Sequence, residues 1–190
     1  MTPPKITIVS GVPRSGTSLM MQMLQAGGMP VLTDHARAPD PDNPRGYFEF
    51  EPVKYTRNDP SWLSAAEGKV VKMVHLLLYD LPTDRSYKLV LMRRDLREVV
   101  ESQRKMLKRQ NRPGAALPDE KLIEVFDQAL RKLTAWLATQ RQFEVLEVNY
   151  NALLADPIPV VRKLNAFFGG GLSEARMLEA VDPGLYRNRA

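Results

Sequence analysis

The chain has 190 residues, which favours one compact domain over residues 1–190, because globular domains commonly hold roughly 100–200 residues. Hydrophobic residues make up 44% and charged residues 26%, a composition that excludes collagen-like and wholly disordered chains. Lysine and arginine number 27 against 22 aspartates and glutamates, a formal net charge of +5. That excess suits an anionic small molecule, a nucleic acid or an acidic surface equally well, so charge alone selects no partner.

Cysteine is absent, and His35 and His75 are the two histidines of the sequence. The absence of cysteine excludes a disulfide scaffold, a cysteine-based zinc site and a cysteine nucleophile, and two histidines are too few for a histidine-rich metal site. No apolar run approaches the roughly 18 residues of a membrane-spanning helix, and the run after Lys5 ends at Pro13, before signal-peptide length. We therefore expect a cytoplasmic protein that uses no metal and contacts no membrane.

Short apolar runs alternate with amphipathic stretches along the chain. Apolar runs bounded by turn residues predict five strands, at residues 5–11, 29–33, 69–78, 87–92 and 143–150. Apolar residues at three- and four-residue steps predict helices, from Thr17 to Gly27, from Asp95 toward Gln110, after Pro118 to Leu137, and from Pro157 to the glycines at 169–171. This alternation predicts an α/β fold, a doubly wound, mostly parallel sheet of about five strands flanked by helices.

Two stretches break the alternation. Residues 34–60 contain five prolines among acidic and aromatic residues, and residues 104–118 begin basic and become turn-like. The first is too long for a simple connection between a helix and a strand, and long loops often cover or line a site. We interpret both as loops that cover the site, with a solvated helix end as the alternative for 104–118.

The sequence GVPRSG at residues 11–16 lies between the first predicted strand and the first predicted helix. Its glycine spacing is typical of a loop that cradles phosphate, because the turn and the helix start offer N–H groups to an anion. Thr17 stands where nucleoside triphosphatases carry lysine, and Thr17 and Ser18 add hydroxyl donors. Arg14 supplies the positive charge instead, with a guanidinium that can grip two oxygens of a tetrahedral anion.

A second cationic element follows the predicted strand at residues 87–92. Arg94 falls near the carboxyl end of this strand, where parallel sheets bind ligands, and Ser102 lies two turns into the next helix. Together they can hold one anion from two sides. The alternative is a solvated surface on which arginines pair with Glu98 and Glu101 at helical spacing. Asp95 and Glu98 also match a capping box at the start of this helix.

With these two elements in hand, the sequence resembles the sulfotransferases that use 3′-phosphoadenosine 5′-phosphosulfate (PAPS). PRSGTSL at residues 13–19 is similar to the family's 5′-phosphosulfate loop, with Arg14 where cytosolic members usually carry lysine. Arg94 and Ser102 match the pair that holds the 3′-phosphate. The stretch from Tyr150 to Gly170 is similar to the pattern after the family's last strand. The resemblance implies a P-loop-type α/β fold, PAPS as the donor, a small-molecule acceptor with a hydroxyl or amine, and Tyr150 near the nucleotide base.

The C-terminal part departs from the family's pattern. The glycine-rich phosphate motif of the cytosolic enzymes is missing, and the sequence offers Tyr186, Arg187 and Arg189 as substitutes. We predict a donor site formed by Arg14, Ser15, Gly16, Thr17, Ser18, Arg94, Ser102, Tyr150 and Arg187.

Sulfuryl transfer requires a base for the acceptor proton and cations for the negative charge that develops. Lys72 and His75 resemble a lysine and a catalytic histidine of cytosolic relatives, although they lie one residue further apart here. Strict alternation would put them on opposite faces unless the strand ends between them. Asp34 and His35 are rival bases, near where tyrosylprotein-type sulfotransferases carry a glutamate, and Glu49 is a third. The predicted catalytic set is Arg14, Lys72, His75 and Asp34.

Three other functions compete with this interpretation. A P-loop nucleotide or small-molecule kinase has the same fold, but Thr17 in place of lysine argues against it. A nucleotide-binding protein without activity would keep Arg14, Arg94 and Ser102. A nucleic-acid-binding module would use the basic residues after 104, but these lack an aromatic stacking platform, so we predict no nucleic-acid partner.

Overall fold

A computed structural model of the chain describes residues 5–34, 46–114 and 117–181. Its centre is a sheet of four parallel strands in the order β2-β1-β3-β4. The strands are β1 (Ile6–Gly11), β2 (Val70–Val74), β3 (Tyr87–Arg93) and β4 (Phe143–Asn149). Each one coincides with a predicted apolar run, so the predicted parallel α/β fold is confirmed.

The fifth predicted strand, at residues 29–33, is not a strand in the structure. Val31 makes a single isolated bridge to Val70 at the edge of β2, flanked by hydrogen bonds from Val70 N to Pro30 O and from Leu32 N to Val70 O. The chain then leaves the sheet, because the Thr33 hydroxyl donates to the carbonyl of Glu49 over 2.8 Å. The apolar run is therefore too briefly paired to add a strand.

Helices cover both faces of the sheet. They are α1 (Thr17–Ala26), α2 (Leu96–Arg109), α3 (Asp119–Leu137), α4 (Tyr150–Ala155), α5 (Pro157–Phe167) and α6 (Glu174–Glu179), with short 3₁₀ helices at Glu51–Tyr55, Ser61–Ala66 and His75–Asp80. None of the helices in the described ranges is long and apolar enough to cross a bilayer. Residues 104–109, predicted as part of a loop or a helix end, form the last turns of α2.

Alternate residues of each strand point into two separate cores, one on each face of the sheet. One core packs Ile8, Val71 and Leu89 against Leu133 of α3 and the 3₁₀ helix containing Leu63. The other packs the neighbouring positions Val9, Val70 and Val90 against the helices α1, α5 and α6. Because both faces are covered, the central strands β1 and β3 are mostly apolar, as expected for a doubly wound sheet, whereas the edge strand β4 carries Glu144 and Glu147 at exposed positions.

The four strands end at one edge of the sheet. Gly11, the last residue of β1, is in register with Val74 at the end of β2 and with Met92 in β3, and Met92 is in register with Val148 of β4. The chain reverses its direction of winding at β1, which lies between β2 and β3. This edge beside β1 is where open α/β sheets bind ligands.

Candidate active site

The loop between β1 and α1 is packed too closely for side chains at its two glycines. A Cβ on Gly11 would overlap the Ser15 hydroxyl and lie 2.9 Å from the carbonyl of Met92, and a Cβ on Gly16 would overlap the ring of Tyr150. Gly16 also has a φ of 96°, a left-handed conformation that favours glycine. The glycines therefore set both the shape of the loop and its contact with α4.

The same loop holds polar groups suited to an anion. The Ser15 hydroxyl is buried and has no hydrogen-bond partner in the described part of the chain, and an orphaned buried hydroxyl usually serves a ligand or water. No side chain caps the start of α1, where Thr17 and Ser18 lie half-buried. The first amides of an uncapped helix attract negative charge, so Ser15, Gly16, Thr17 and Ser18 form one corner with the chemistry that suits an anion.

Arg14 extends from this loop across to α2. Its Nε donates to the Ser102 hydroxyl over 3.0 Å, and its Nη1 lies 3.9 Å from the sulfur of Met106, one turn further along the helix. The backbone of Arg14 is left-handed, with a φ of 68°, which costs on the order of 1–3 kcal/mol for a residue other than glycine. The structure thus brings together Arg14 and Ser102, which the family resemblance assigns to the 5′-phosphosulfate and the 3′-phosphate of the donor.

Arg94 lies directly behind the loop, just after β3. Its Nη1 donates to the carbonyl of Arg14 over 3.1 Å, its Nε donates to Glu98 over 2.9 Å, and its guanidinium carbon is 4.6 Å from the centre of the Tyr150 ring. The side chain is only 7% exposed. From the sequence, the ion pair of Arg94 with Glu98 is the alternative to ligand binding. In the structure Arg94 makes this ion pair and also contacts the loop.

Asn151 is a member of this site that sequence reasoning missed. Its Nδ2 donates to Glu98 over 2.9 Å, and its Oδ1 accepts from the backbone amide of Asp95 over 3.1 Å. Asp95 does cap α2, because its side chain accepts from the amides of Arg97 and Glu98. The Glu98 carboxylate is directed to Arg94 and Asn151, however, so the expected capping box is wrong in its second half.

His75 is the first residue after β2, so the strand ends between Lys72 and His75. The imidazole is buried, 5% exposed, and burial lowers its pKa from the usual 6.5, although a hydrogen bond with the backbone of Gly11 opposes the shift. Its Nδ1 has no hydrogen-bond partner in the described ranges. A neutral imidazole with an unpaired nitrogen is the form that can accept a proton.

Lys72 belongs to β2 itself and contacts the segment before the first 3₁₀ helix. Its ammonium donates to the backbone carbonyl of Tyr47 and lies 5.8 Å from the centre of the Tyr47 ring. This contact ties residues 46–50 to the edge of the sheet. Lys72 and His75 thus point to different neighbours, Tyr47 in one case and Gly11 in the other.

The rival bases Asp34 and Glu49 are paired through their backbones. The amide of Asp34 donates to the carbonyl of Glu49 over 3.2 Å, and the Asp34 carboxylate accepts from the amide of Glu51 over 2.6 Å. Asp34 thereby holds the start of a 3₁₀ helix. The remaining predicted residues, His35, Tyr186, Arg187 and Arg189, lie outside the described residues.

The sheet is parallel, and the glycine-rich loop follows β1, the strand from which the chain connects to neighbours on both sides. This arrangement is typical of a P-loop-type α/β protein. Residues 4–183 match the sequence profile described as the Sulfotransferase domain. Because this match spans nearly the whole sequence, the chain belongs to the sulfotransferase family. The predicted family is thus confirmed, sulfuryl transfer is the activity of this enzyme, and the kinase alternative is not favoured.

Solved structures share this fold at low sequence identity. The sulfotransferase domain of the curacin biosynthetic pathway is 15% identical, with a TM-score of 0.57 over 96% of this chain and 79% of that one. A Mycobacterium tuberculosis sulfotransferase is 18% identical, with a TM-score of 0.57 over 94% and 71%. Retinol dehydratase in complex with androsterone and the inactive cofactor PAP is 21% identical, with a TM-score of 0.55 over 92% and 62%. No curated protein sequence matches the chain.

Proposed function

We propose that the enzyme transfers the sulfuryl group of PAPS to a hydroxyl or amine of a small-molecule acceptor. The observation that carries this proposal is the meeting of Arg14, Arg94, Ser102 and Tyr150 around Gly16, because these groups come from three different strand ends. Retinol dehydratase, which shares the fold, was solved with PAP, the desulfated form of such a donor.

We call the region made by the loop 11–18, Arg94, Ser102 and Tyr150 the donor end. The loop amides and the Ser15 hydroxyl would hold the 5′-phosphosulfate. Arg94 and Ser102 would hold the 3′-phosphate, Tyr150 would lie near the base, and we assign Arg187 to the same 3′-contact. PAPS supplies the sulfuryl group, and Arg14 would stabilise the charge that develops as the sulfur–oxygen bond breaks, a contribution of roughly 3–4 kcal/mol for one well-placed donor.

We call the region around His75 the acceptor end. His75 would remove the acceptor proton, because its lowered pKa keeps the imidazole neutral at neutral pH and its buried Nδ1 has no hydrogen-bond partner in the described ranges. Asp34 and Glu49 are weaker candidates, since the Asp34 carboxylate holds the amide of Glu51. Lys72 would add positive charge near the sulfuryl group while keeping residues 46–50 in place.

Two exposed apolar side chains flank His75 and favour an apolar acceptor. Val74 is 47% exposed and Leu76 is 61% exposed, and solvent-exposed apolar groups beside a catalytic residue are suited to binding an apolar ligand body. The complex of retinol dehydratase with androsterone is consistent with an acceptor of this type. We also propose that residues 34–60 and 104–118 cover the site, since Met106 of the second stretch contacts Arg14. Residues 35–45 and 115–116 of these stretches lie outside the described residues.

The test is a donor assay with purified protein. We expect 3′,5′-adenosine bisphosphate (PAP) to raise the melting temperature more than ATP with magnesium does, and we expect PAPS to sulfate at least one member of a panel of apolar alcohols, phenols and amines. Greater stabilisation by ATP with magnesium would support the kinase instead. PAP binding without a sulfated product across the panel would identify a nucleotide-binding protein without activity.

A further inference from the structure

Glu98 is a buried carboxylate to which the proposed function gives no role, either in binding the donor or in proton transfer. Its side chain is 3% exposed, and an ionised carboxylate removed from water is costly unless it is paired and hydrogen-bonded. Oε2 accepts from Arg94 Nε and Oε1 accepts from Asn151 Nδ2, each over 2.9 Å. Both oxygens are therefore committed to groups at the donor end.

The bond to Glu98 fixes how Arg94 is oriented. A guanidinium is planar, so its direction is determined once two of its nitrogens are held. Glu98 holds Nε, the Arg14 carbonyl accepts from Nη1, and the Tyr150 ring packs against the plane at 4.6 Å. These three contacts come from α2, the loop after β1 and α4.

The bond to Asn151 joins two helices that start at the same edge. Asn151 donates to Glu98 and accepts from the Asp95 amide at the start of α2. Its neighbour Tyr150 is the residue whose ring limits position 16 to glycine. Glu98 therefore connects the orientation of Arg94 with the position of Tyr150.

From this geometry we infer that Glu98 is a positioning residue that sets the preference of the enzyme for a nucleotide carrying a 3′-phosphate. The inference rests on the proposed function, in which Arg94 meets that phosphate. Glu98 acts through Arg94 and Asn151 and touches no reacting atom. Its loss should weaken binding of the 3′-phosphate more than binding of the rest of the nucleotide.

Glu98→Gln tests this with little change in shape. Glutamine has one acceptor oxygen where glutamate has two. Its side-chain NH₂ group would therefore face an N–H donor of either Arg94 or Asn151, and that hydrogen bond would be lost. Calorimetry would compare PAP with adenosine 5′-phosphate, which lacks the 3′-phosphate. We expect PAP affinity to fall on the order of tenfold, the loss of about one charge-assisted hydrogen bond, with less than about a twofold change for adenosine 5′-phosphate.

Glu101→Gln is the matched control, since Glu101 lies on the same helix and pairs with Lys105 at about half exposure. It should leave both affinities unchanged. If Glu98→Gln weakens both nucleotides in parallel, or neither, the inference is wrong. If the parent enzyme itself shows no preference for PAP over adenosine 5′-phosphate, the proposed 3′-contact fails, which is a separate result.

Asn151→Ala provides a second route if Glu98→Gln does not fold. It removes the hydrogen bond to Glu98 and the acceptor of the Asp95 amide, and it keeps the ion pair between Glu98 and Arg94. We expect the same change in the affinity ratio of the two nucleotides, at about threefold, because Arg94 stays paired with Glu98. An unchanged ratio in a folded Asn151→Ala protein would overturn the inference.

Discussion

The donor end and the acceptor end are built in different ways. At the donor end, Arg14, Arg94, Glu98 and Ser102 are joined by hydrogen bonds of 2.9–3.1 Å between residues 4 to 88 positions apart. At the acceptor end, His75 is buried between two exposed apolar residues, and its Nδ1 has no hydrogen-bond partner among the described residues. The donor end is thus held together by side-chain hydrogen bonds, with the Ser15 hydroxyl left unpaired among the described residues, whereas the acceptor end presents apolar side chains beside an unpaired imidazole nitrogen.

The difference matches what each region is proposed to bind. A donor that is the same in every reaction favours side chains that are already held in their binding positions, because less conformational entropy is then lost on binding. An acceptor that differs from enzyme to enzyme favours apolar surface and a few polar groups. Substitutions that break the hydrogen-bonded cluster or the loop packing at the donor end should therefore affect folding and binding together. Substitutions of Arg14 and of the acceptor end should affect chemistry with less effect on the fold.

The largest effect is expected for Arg94→Ala. It leaves Glu98 buried without its ion partner, which typically costs about 3–5 kcal/mol, and each kcal/mol corresponds to about 2–4 °C in Tm for a chain of this size. Binding of PAP should weaken as well, measured by calorimetry below the new Tm. Arg93→Ala is the control, because Arg93 pairs with Glu147, which is 45% exposed, and should cost about 0–1 kcal/mol. Equal stability of the two variants would contradict the bonded donor end.

Arg14→Ala separates binding from turnover. We expect kcat to fall by about 10²–10³, as for loss of one preorganised donor to the developing charge, while PAP affinity changes only a few-fold. Steady-state kinetics with PAPS and calorimetry with PAP would measure the two effects.

Arg14→Lys is the companion variant, since cytosolic members of the family that this sequence resembles usually carry lysine at this position. It should recover part of the lost kcat. A large loss of PAP affinity in Arg14→Ala, with kcat unchanged, would assign Arg14 to binding alone.

Gly16→Ala tests the packing between the loop and α4. The added methyl group would overlap Tyr150, and such overpacking costs about 1–3 kcal/mol. Gly28→Ala is a matched control, because Gly28 has a similar φ of 104° but its nearest neighbour would be 4.0 Å away. Thermal unfolding should show the larger loss at position 16, accompanied by weaker PAP binding. An equal loss at both positions would mean that backbone strain alone matters there.

The smallest effect concerns the acceptor end and pH. Because burial lowers the pKa of His75 below its usual 6.5, the unfolded chain binds a proton first on acidification. The free energy of unfolding should therefore fall below pH 6.5, by less than about 1.4 kcal/mol per pH unit from this group. Chemical denaturation at pH 7 and pH 5 should show a smaller decrease for His75→Gln. Parallel decreases would mean that His75 is equally protonated in both states.

Much of the fold follows from local sequence. β1 is buried along its whole length, and β3 is buried at Tyr87 and at residues 89–92, so their apolar runs predict buried strands. Arg94 lies two residues after a predicted strand and Tyr150 is the last residue of another, and in the structure Arg94, Tyr150 and His75 each directly follow a strand. Such residues fall at the carboxyl edge because all four strands are parallel.

Long-range contacts limit what the sequence can predict. Glu98 lies three residues after Asp95, as in a capping box, yet Asn151, 53 positions away, bonds both Glu98 and the Asp95 amide. The run at residues 29–33 has strand composition, but Thr33 bonds to Glu49 and draws the chain away from the sheet. In both cases a distant partner outweighs the local preference.

The contact between Gly16 and Tyr150 has a consequence for biosynthesis. It joins residue 16 to a residue that directly follows β4, and proteins rich in such contacts between distant segments fold slowly. During synthesis, a chain that does not yet include β4 also lacks Tyr150 and Asn151. We therefore expect that the nucleotide does not stabilise it. Nucleotide in the medium should therefore protect the full chain from proteolysis and leave a fragment ending before residue 143 unprotected.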